Sequence, residues 1–232
     1  MKYCVVTRAD GNIKEMTDIT FKSIKEYAKR VGADFKVLSH EPPVMTSDNN
    51  PHYRILEVGN LLDEYDRIFC IDCDMIINEN CPNIFEEVPV DMVGSIFEDK
   101  GSRKPDRLGK IKQIQNKWGD VNWKEGYTNA GTFVVSKQHK NIFDSHNGEY
   151  WLDWGSADLH LSYNIYKYGH KVYELSFKWN HMTMFSEIWN NNASRFDSYI
   201  IHYAGVGVFD SDVCVNKLEQ IKLDYDKIYK NV

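Results

Sequence analysis

The stretch RIFCIDCDMII, residues 67–77, is the most informative part of the chain. Its apolar run leads directly into Asp72-Cys73-Asp74 and predicts a buried strand that ends at two carboxylates. In extended backbone, residues i and i+2 point to the same face, so the carboxylates of Asp72 and Asp74 can converge on one cation. Carboxylate oxygens are hard ligands that suit Mg2+ or Mn2+, and such sites usually leave coordination positions for substrate phosphates.

The residues before this stretch predict alternating strands and helices. Strands are expected over residues 2–7 and 34–39, and helices over residues 12–31 and 53–65, where apolar residues recur at helical spacing. With the strand at 67–71, this order predicts an α/β fold with a mostly parallel central sheet flanked by helices. Ligands of such sheets bind beyond the carboxyl ends of the strands, where the two carboxylates lie.

The pattern after residue 78 is less regular. The segment 98–110 is charged and contains glycine, which predicts a loop of the kind that often faces substrate. No linker, repeat or low-complexity tract divides the chain, so we expect a single domain. The remaining predicted elements are strands over 92–97, 132–136, 171–175 and 199–203, helices over 157–168 and 214–229, and a polar loop over 40–51.

Charge limits the classes of partner. The chain of 232 residues has 28 Lys and Arg against 34 Asp and Glu, a formal net charge of −6. A net-negative chain without a dense basic run is a poor candidate for binding nucleic acid or an anionic membrane. If the ligand is a phosphate compound, its charge must be met locally, and a metal ion could do so.

The cysteine spacing and the length of the apolar runs indicate the cellular location to be expected. The five cysteines have no framework spacing, and we expect buried free thiols rather than a zinc site or a disulfide scaffold. No apolar stretch is long enough for a signal peptide or a membrane-spanning helix. We therefore expect a cytoplasmic protein without a membrane anchor.

Several motifs in chain order resemble glycosyltransferases of the GT-A fold, especially family 8 and related nucleotide-diphospho-sugar transferases. The resemblance covers most of the chain, and it implies a nucleotide-binding half over residues 1–75 and a donor-sugar and acceptor half over 76–232. The motifs are the CVVTRAD stretch at the end of the first strand, Arg54, the Asp72-Cys73-Asp74 motif, Asn129-Ala130-Gly131, and Ile201-His202-Tyr203-Ala204-Gly205.

The resemblance also implies roles for these residues. Asp72, Asp74 and His202 would hold the metal, and an imidazole ligand favours Mn2+ over Mg2+. Asp72 would also belong to the donor site. The other residues implied in nucleotide or donor binding are Thr7, Arg8, Arg54, Asn129, Ala130 and Gly131, and Arg103, Lys104 and Arg107 are candidates to close over the phosphates.

The reacting centre is expected in the segment WLDWGSADLHLSYNIYKYG, residues 151–169. Asp153 and Asp158 are the catalytic candidates, and Asp158 resembles two GT-A patterns. One is the carboxylate that serves as base in inverting enzymes, and the other is the family 8 segment that contacts sugar hydroxyls. Family 8 has Gln where this chain has Leu159, so the stereochemistry stays open. The candidates for binding the acceptor are Trp154, Trp179 and His181.

The resemblance thus implies transfer of a sugar from a nucleotide-diphosphate sugar, UDP-linked or GDP-linked, to a hydroxyl acceptor such as a glycan. Two alternatives stay open. In a haloacid-dehalogenase-like phosphatase, Asp72 would be the nucleophile and Asp74 the acid/base, although Thr or Val commonly stands where this chain has Ile76. A non-catalytic sugar-nucleotide-binding protein would keep the metal site without transfer.

Overall fold

Eight strands and six α-helices form the regular structure of residues 1–42 and 51–230, the part of the chain that the computed structural model describes. Their order confirms the predicted α/β class. The strands are β1 (Tyr3–Arg8), β2 (Ala33–Leu38), β3 (Arg67–Asp72), β4 (Met75–Ile77), β5 (Met92–Phe97), β6 (Thr128–Ser136), β7 (Lys171–Glu174) and β8 (Ile200–His202). The helices are α1 (Lys14–Arg30), α2 (Glu57–Leu61), α3 (Ile84–Glu87), α4 (Lys104–Trp118), α5 (Ser156–Lys167) and α6 (Lys217–Tyr229).

The central sheet has six strands in the order β2-β1-β3-β6-β5-β7. Parallel pairs join β1 to β2, β1 to β3 and β5 to β7, while β6 runs antiparallel to both of its neighbours. The sheet is therefore mostly parallel, as predicted. All nine residues of β6 are buried, because the strand lies in the middle of the sheet.

A second sheet of two antiparallel strands, β4 and β8, lies directly after the Asp72-Cys73-Asp74 turn. Met75 pairs with His202 in this sheet, and the backbone N–H of Tyr203 donates to the carbonyl of Asp74 at 3.0 Å. This short pairing brings His202 to the carboxyl end of β3. Strand β4 and helix α3 were not predicted, because three or four residues are too few for a period to be recognised.

Both faces of the central sheet are covered by apolar residues. One core cluster contains residues of α2 and α5 together with Phe133 and Val135 of β6. The other contains Ile24 and Tyr27 of α1 together with Val134 of β6. Adjacent residues of β6 thus enter opposite cores, as the alternation of a strand requires. The five cysteines are free and mostly buried, which confirms the expectation from their spacing.

Two predicted segments differ in the structure. The charged loop predicted over residues 98–110 is wrong from residue 104, where α4 begins with Pro105 in its first turn. The helix predicted over residues 53–65 is a 3-10 turn, Pro51–Leu56, followed by the short α2. Most of the loop predicted over 40–51 lies outside the described residues. Among the helices in the described ranges, none combines the length and the apolar character that a membrane span requires.

Candidate active site

Asp72, Asp74 and His202 form a compact cluster at the carboxyl end of β3. Their side-chain ligand atoms all lie within 4.8 Å of one another. His202 Nε2 is 3.3 Å from Asp74 Oδ1 and 3.7 Å from Asp72 Oδ2. The structure therefore brings together the three residues that the sequence singled out as metal ligands.

The donor atoms of this cluster suit a divalent cation. His202 Nδ1 lies 2.7 Å from Asn180 Oδ1, and because an amide oxygen only accepts, the proton belongs on Nδ1 and Nε2 faces the carboxylates. A side chain at position 131 would intrude, since a Cβ on Gly131 would lie 2.7 Å from Asp72 Oδ2 and 3.1 Å from His202 Cε1. The cluster fits Mn2+ or Mg2+ by its two carboxylates, its oriented imidazole and its glycine-lined wall.

Two cations neighbour the carboxylates. Arg8 forms an ion pair with Asp72, and Lys217 Nζ lies 2.8 Å from Asp74 Oδ2. Burial opposes ionisation of Asp74, but His202 and Lys217 outweigh it and hold the pKa of this carboxyl well below its usual range. Burial likewise lowers the pKa of His202, while Asp74 and Asp72 outweigh it and raise that pKa above its ordinary value.

A chain of side-chain hydrogen bonds, which we call the amide relay, continues from His202 to Glu98. Asn180 Nδ2 donates to Asn129 Oδ1 at 2.9 Å, and Asn129 Nδ2 in turn donates to Glu98 Oε1. Glu98 Oε2 accepts from Arg107 at 2.7 and 2.8 Å and from Arg103 at 3.0 Å. The carboxylate of Glu98 thus fixes the orientation of both amides, and through them the ring of His202.

Two hollows meet at the cluster of candidate metal ligands, Asp72, Asp74 and His202. The α1-side hollow, about 590 Å3, is lined by residues that include Asp10, Ile13, Arg54, Asp74 and Lys217. The α5-side hollow, about 470 Å3, is lined by residues that include Arg103, Arg107, Asn129, Trp154 and Asp158. Arg8, His52, Asp72, His202, Ala204 and Gly205 line both. A ligand held at the cluster can therefore extend into both hollows.

Some of the residues predicted to bind the nucleotide line the α1-side hollow, and others do not. Arg54 lines it, with Nε donating to the carbonyl of His40 at 2.7 Å and Nη1 lying 3.4 Å from Asp10 Oδ2. Thr7 is completely buried within β1 and lines neither hollow. Strand alternation turns Thr7 inward, and Asp10, two residues beyond the strand, lines the hollow instead.

The Asn129-Ala130-Gly131 segment lies inside β6 rather than before it. Its backbone contacts the catalytic candidate Asp158, because the N–H of Ala130 donates to Asp158 Oδ1 at 3.0 Å. Within the segment, the N–H of Gly131 donates to Asn129 Oδ1 at 2.8 Å. Burial, with Glu98 next in effect, raises the pKa of Asp158 to about 7. The carboxyl of Asp158 therefore keeps its proton to a higher pH than an exposed aspartate does.

Asp153, the other catalytic candidate, lies outside the α5-side hollow. Its exposed carboxylate accepts from Gln113 Nε2 at 2.8 Å and from the backbone N–H of Trp154 at 2.7 Å. These two bonds fix the side chain of Asp153 before α5 and direct its carboxylate toward α4. The structure therefore separates Asp153 from Asp158 and brings Asp158, but not Asp153, to the α5-side hollow.

Of the three residues predicted to contact the acceptor, the structure places Trp154 at the α5-side hollow, where its side chain is 48% exposed. Trp179 and His181 are buried in the core and line neither hollow, so the structure does not bring them together with Trp154. Trp179 packs on Tyr199 with ring centroids 5.0 Å apart, and His181 Nδ1 lies 2.8 Å from Ser198 Oγ. The residues that follow them, Met182, Thr183 and Met184, line the hollow instead.

Sequence reasoning missed Lys217, Asn180 and Glu98 as parts of the site. Lys217 begins α6, directly after Asn216, whose side chain caps that helix. Asn180 lies next to a residue that was considered, but no motif marks it. Glu98 could have been found, because it follows the end of β5 and a carboxylate in that position commonly faces a ligand site in α/β sheets.

No family model matches the chain, and no curated protein matches it. Solved structures of similar fold nevertheless span almost all of it. A glycosyltransferase involved in the glycosylation of the major capsid of PBCV-1 has 13% identity and a TM-score of 0.59, with 96% of this chain and 100% of that chain covered. An active-site mutant of LgtC has 15% identity and a TM-score of 0.65, with coverage of 97% and 96%. Mouse xyloside xylosyltransferase 1 has 11% identity and a TM-score of 0.53, with coverage of 87% and 97%.

These likenesses show that the chain has the GT-A fold, which confirms the fold expected from the ordered motifs. The phosphatase alternative is not favoured, because it implies a different fold from the one that these structures share with the chain. The Asp-x-Asp motif also follows the third strand of the sheet, as the sequence had indicated.

Proposed function

We propose that this GT-A chain is a metal-dependent glycosyltransferase. It moves a sugar from a nucleotide-diphosphate sugar, with UDP favoured over GDP, to a hydroxyl group of a glycan. The observation that carries the proposal is the position of the Asp72, Asp74 and His202 cluster, where the two hollows of a GT-A fold meet. On this proposal the α1-side hollow takes the nucleotide, and the α5-side hollow takes the donor sugar and the acceptor.

The division of labour along the chain follows from this assignment. Residues 1–75 supply the nucleotide half, with Arg8 and Arg54 toward the nucleotide. Residues 76–232 supply the donor-sugar and acceptor half, with Asn129 and Gly131 toward the donor sugar. A structure of galactosyltransferase LgtC in complex with donor and acceptor sugar analogs, similar to this chain with a TM-score of 0.59, supports the assignment of both ligands to one cleft.

Asp72, Asp74 and His202 would hold Mn2+, or Mg2+, in this enzyme. A divalent ion would neutralise negative charge on the diphosphate and stabilise the charge that develops on the leaving-group oxygen. Arg8 and Lys217, now paired with Asp72 and Asp74, add two positive charges beside the same carboxylates. They would share the charge of the diphosphate once it is bound.

Asp158 is the residue we assign to proton transfer. Its carboxylate lies in the α5-side hollow and has a pKa near neutrality, as an efficient general base requires. It would take the proton of the acceptor hydroxyl while that oxygen bonds to the anomeric carbon and the bond to the diphosphate breaks. This assignment predicts inversion at the anomeric carbon, whereas a carboxylate that only binds sugar hydroxyls would leave the stereochemistry free.

The test is calorimetric titration of UDP and GDP, with and without Mn2+, on the wild type and on Asp74→Asn. We expect nucleotide binding that requires Mn2+ and weakens at least tenfold in the variant, since one of three ligands is lost. Asp91→Asn is the matched control, because Asp91 is an exposed acid away from both hollows. Its binding should equal that of the wild type.

A nucleotide affinity that is unchanged by Mn2+ and by Asp74→Asn would contradict the proposed metal site. Absence of binding by either nucleotide would contradict the transferase assignment. The nucleotide that binds then decides which sugar nucleotides are screened for hydrolysis and transfer. A cytoplasmic location stays a prediction from the sequence.

A further inference from the structure

Helix α4 and the residue before it carry an unusual concentration of positive charge. Residues 103–117 contain six basic residues and one acidic residue, in a chain whose net charge is −6. Arg103, Arg107, Lys110 and Lys117 follow one another at intervals of four, three and seven residues, which places them on one side of a helix. We call these four residues the basic stripe. At 1.5 Å per residue, it is about 21 Å long.

The basic stripe begins in the α5-side hollow and leads out of it along tryptophan rings. Arg103 and Arg107 line the hollow. The guanidinium of Arg107 and the ammonium of Lys110 lie 4.6 and 5.1 Å from the ring centre of Trp154. Further along, Lys117 Nζ lies 5.5 Å from the ring centre of Trp151. These cation–π contacts hold three of the four cations against tryptophan rings, two of them against Trp154, which lines the hollow.

Half of this charge has no acidic partner. Glu98 pairs with both Arg103 and Arg107. Within residues 1–42 and 51–230, no carboxylate lies within ion-pair distance of Lys110 or Lys117. Lys110 and Lys117 are therefore available to pair with the negative charges of a ligand that leaves the α5-side hollow along the basic stripe.

We infer that the acceptor is an acidic glycan. Its terminal sugar would lie against Trp154 in the α5-side hollow, and the carboxylate or sulfate groups of the following sugars would lie along Lys110 and Lys117. This inference rests on the proposed function, since it takes the α5-side hollow as the acceptor site. The side chain of Trp154 is 48% exposed, and an aromatic ring suits contact with a sugar. A single row of cations suits an extended polyanion.

A glycan explains the arrangement better than an anionic membrane does. The stripe shares Arg103 and Arg107 with the lining of the hollow, so one ligand can occupy both. The basic residues Lys104 and Lys112 point in other directions around α4, which leaves a row rather than a broad basic plane. Asp106 on the same helix further reduces the attraction to a charged bilayer.

The test uses direct binding of defined oligosaccharides. One pair is a galacturonic acid tetramer and its fully methyl-esterified form, and the other is a sulfated dextran tetramer and its unsulfated form. We expect at least one acidic tetramer to bind at least tenfold more tightly than its neutral counterpart, and its affinity to fall as salt is added. Lys110→Gln/Lys117→Gln should weaken this binding roughly fivefold to tenfold, because the charge contacts of one half-buried and one exposed lysine are lost.

The matched control is Lys112→Gln/Lys124→Gln, which removes the same charge from exposed positions off the stripe. Its affinity for the acidic tetramer should stay within about twofold of the wild type. Equal weakening in both double variants would overturn the inference, since binding would then follow net charge alone. Equal binding of acidic and neutral tetramers, or no binding of either acidic tetramer, would also overturn it. So would binding to phosphatidylglycerol vesicles through Lys110 and Lys117 in the absence of glycan binding.

UDP binding with Mn2+, measured on the same proteins, separates this inference from the proposed function. Lys110 and Lys117 lie outside the α1-side hollow, so their double variant should bind the nucleotide like the wild type. Intact nucleotide binding without a preference for acidic glycans overturns only the acceptor inference. Loss of Mn2+-dependent nucleotide binding in the wild type overturns the proposed function and, with it, the assignment of an acceptor.

Discussion

The side chain of His202 shows how a neighbour decides the chemistry of a residue. Its Nδ1 is held by Asn180, which leaves Nε2 directed at Asp72 and Asp74. Without Asn180, either ring nitrogen could carry the proton and the ring could turn. The amide and the position of His202 in β8 thus together direct Nε2 toward the candidate metal site.

Asp158 gives a prediction on pH. Its pKa of about 7 means that the carboxyl is neutral in acid and becomes a base as the pH rises. We expect kcat/KM for transfer to increase about tenfold per pH unit up to about pH 7 and then to level off. Asp158→Asn should lower kcat/KM by about 100-fold or more and abolish this rise. The measurement is a pH profile of kcat/KM from pH 5 to 9.

Asp153→Asn is the natural comparison, because Asp153 belongs to the same segment but is exposed and bonded to Gln113. Its pH profile should match that of the wild type. If both variants lose the rise equally, or if Asp158→Asn keeps it, proton transfer at Asp158 is refuted.

The candidate metal ligands could be predicted from the sequence, because each of them lies in a short motif that is recognisable by itself. Asp72 and Asp74 are two residues apart on a strand, and His202 lies in a recognisable motif. Asn180, Glu98 and Lys217 were missed, since each contributes through partners that are distant in sequence. Lys217 and Asp74, for example, are 143 residues apart. Such pairs depend on the packing of the whole fold.

At the scale of elements, α4 shows where pattern reading fails. Its buried side includes Ile111 and Ile114, but six charged residues and a glycine surround them and hide the helical period. Strands β1, β3 and β5 were predicted to within a residue or two, because continuous apolar runs of four to six residues are typical of buried strands. The helices α1, α5 and α6 were predicted from their apolar spacing.

Gly109 allows a test of α4 as an element. It is exposed in the helix interior, and a Cβ there would meet nothing within 4 Å. Gly109→Ala should therefore raise the free energy of unfolding by about 0.5–1 kcal/mol, because alanine loses less backbone entropy in a helix. Urea denaturation monitored by circular dichroism measures this change.

The contrasting variant is Gly131→Ala, where the new methyl group would collide with Asp72. The same substitution there should destabilise the protein and weaken Mn2+ binding. A destabilising effect of Gly109→Ala would mean that α4 does not continue through that position.

At the scale of the whole molecule, the site depends on the C-terminal helix. Lys217 at the start of α6 reaches Asp74, and the helix is anchored by the buried carboxylate of Asp224. This carboxylate accepts hydrogen bonds from Arg195 at 2.8 and 2.9 Å and from Tyr203 Oη at 2.9 Å. Tyr203 directly follows β8, so the anchor joins α6 to the strand that carries His202.

Removing this anchor should have a large effect. Asp224→Ala leaves Arg195 and Tyr203 without their buried partner, and we expect a loss of about 3 kcal/mol in the free energy of unfolding. Asp226→Ala breaks an exposed pair with Lys230 on the same helix and should cost less than about 0.5 kcal/mol. Urea denaturation of both variants measures these changes in the free energy of unfolding. Equal losses in the two variants would mean that α6 lies on the surface without the anchor.

The amide relay has a consequence for how this sequence can change over generations. Residues 98, 129, 180 and 202 come from four separate parts of the chain, yet each hydrogen bond sets the direction of the next. A mutation at one position leaves its neighbour with a buried polar group that has lost its partner, which costs stability. We therefore expect the four positions to vary together among related sequences. A relative that replaces one of them alone is expected to lose the fixed orientation of the imidazole at the end of the line.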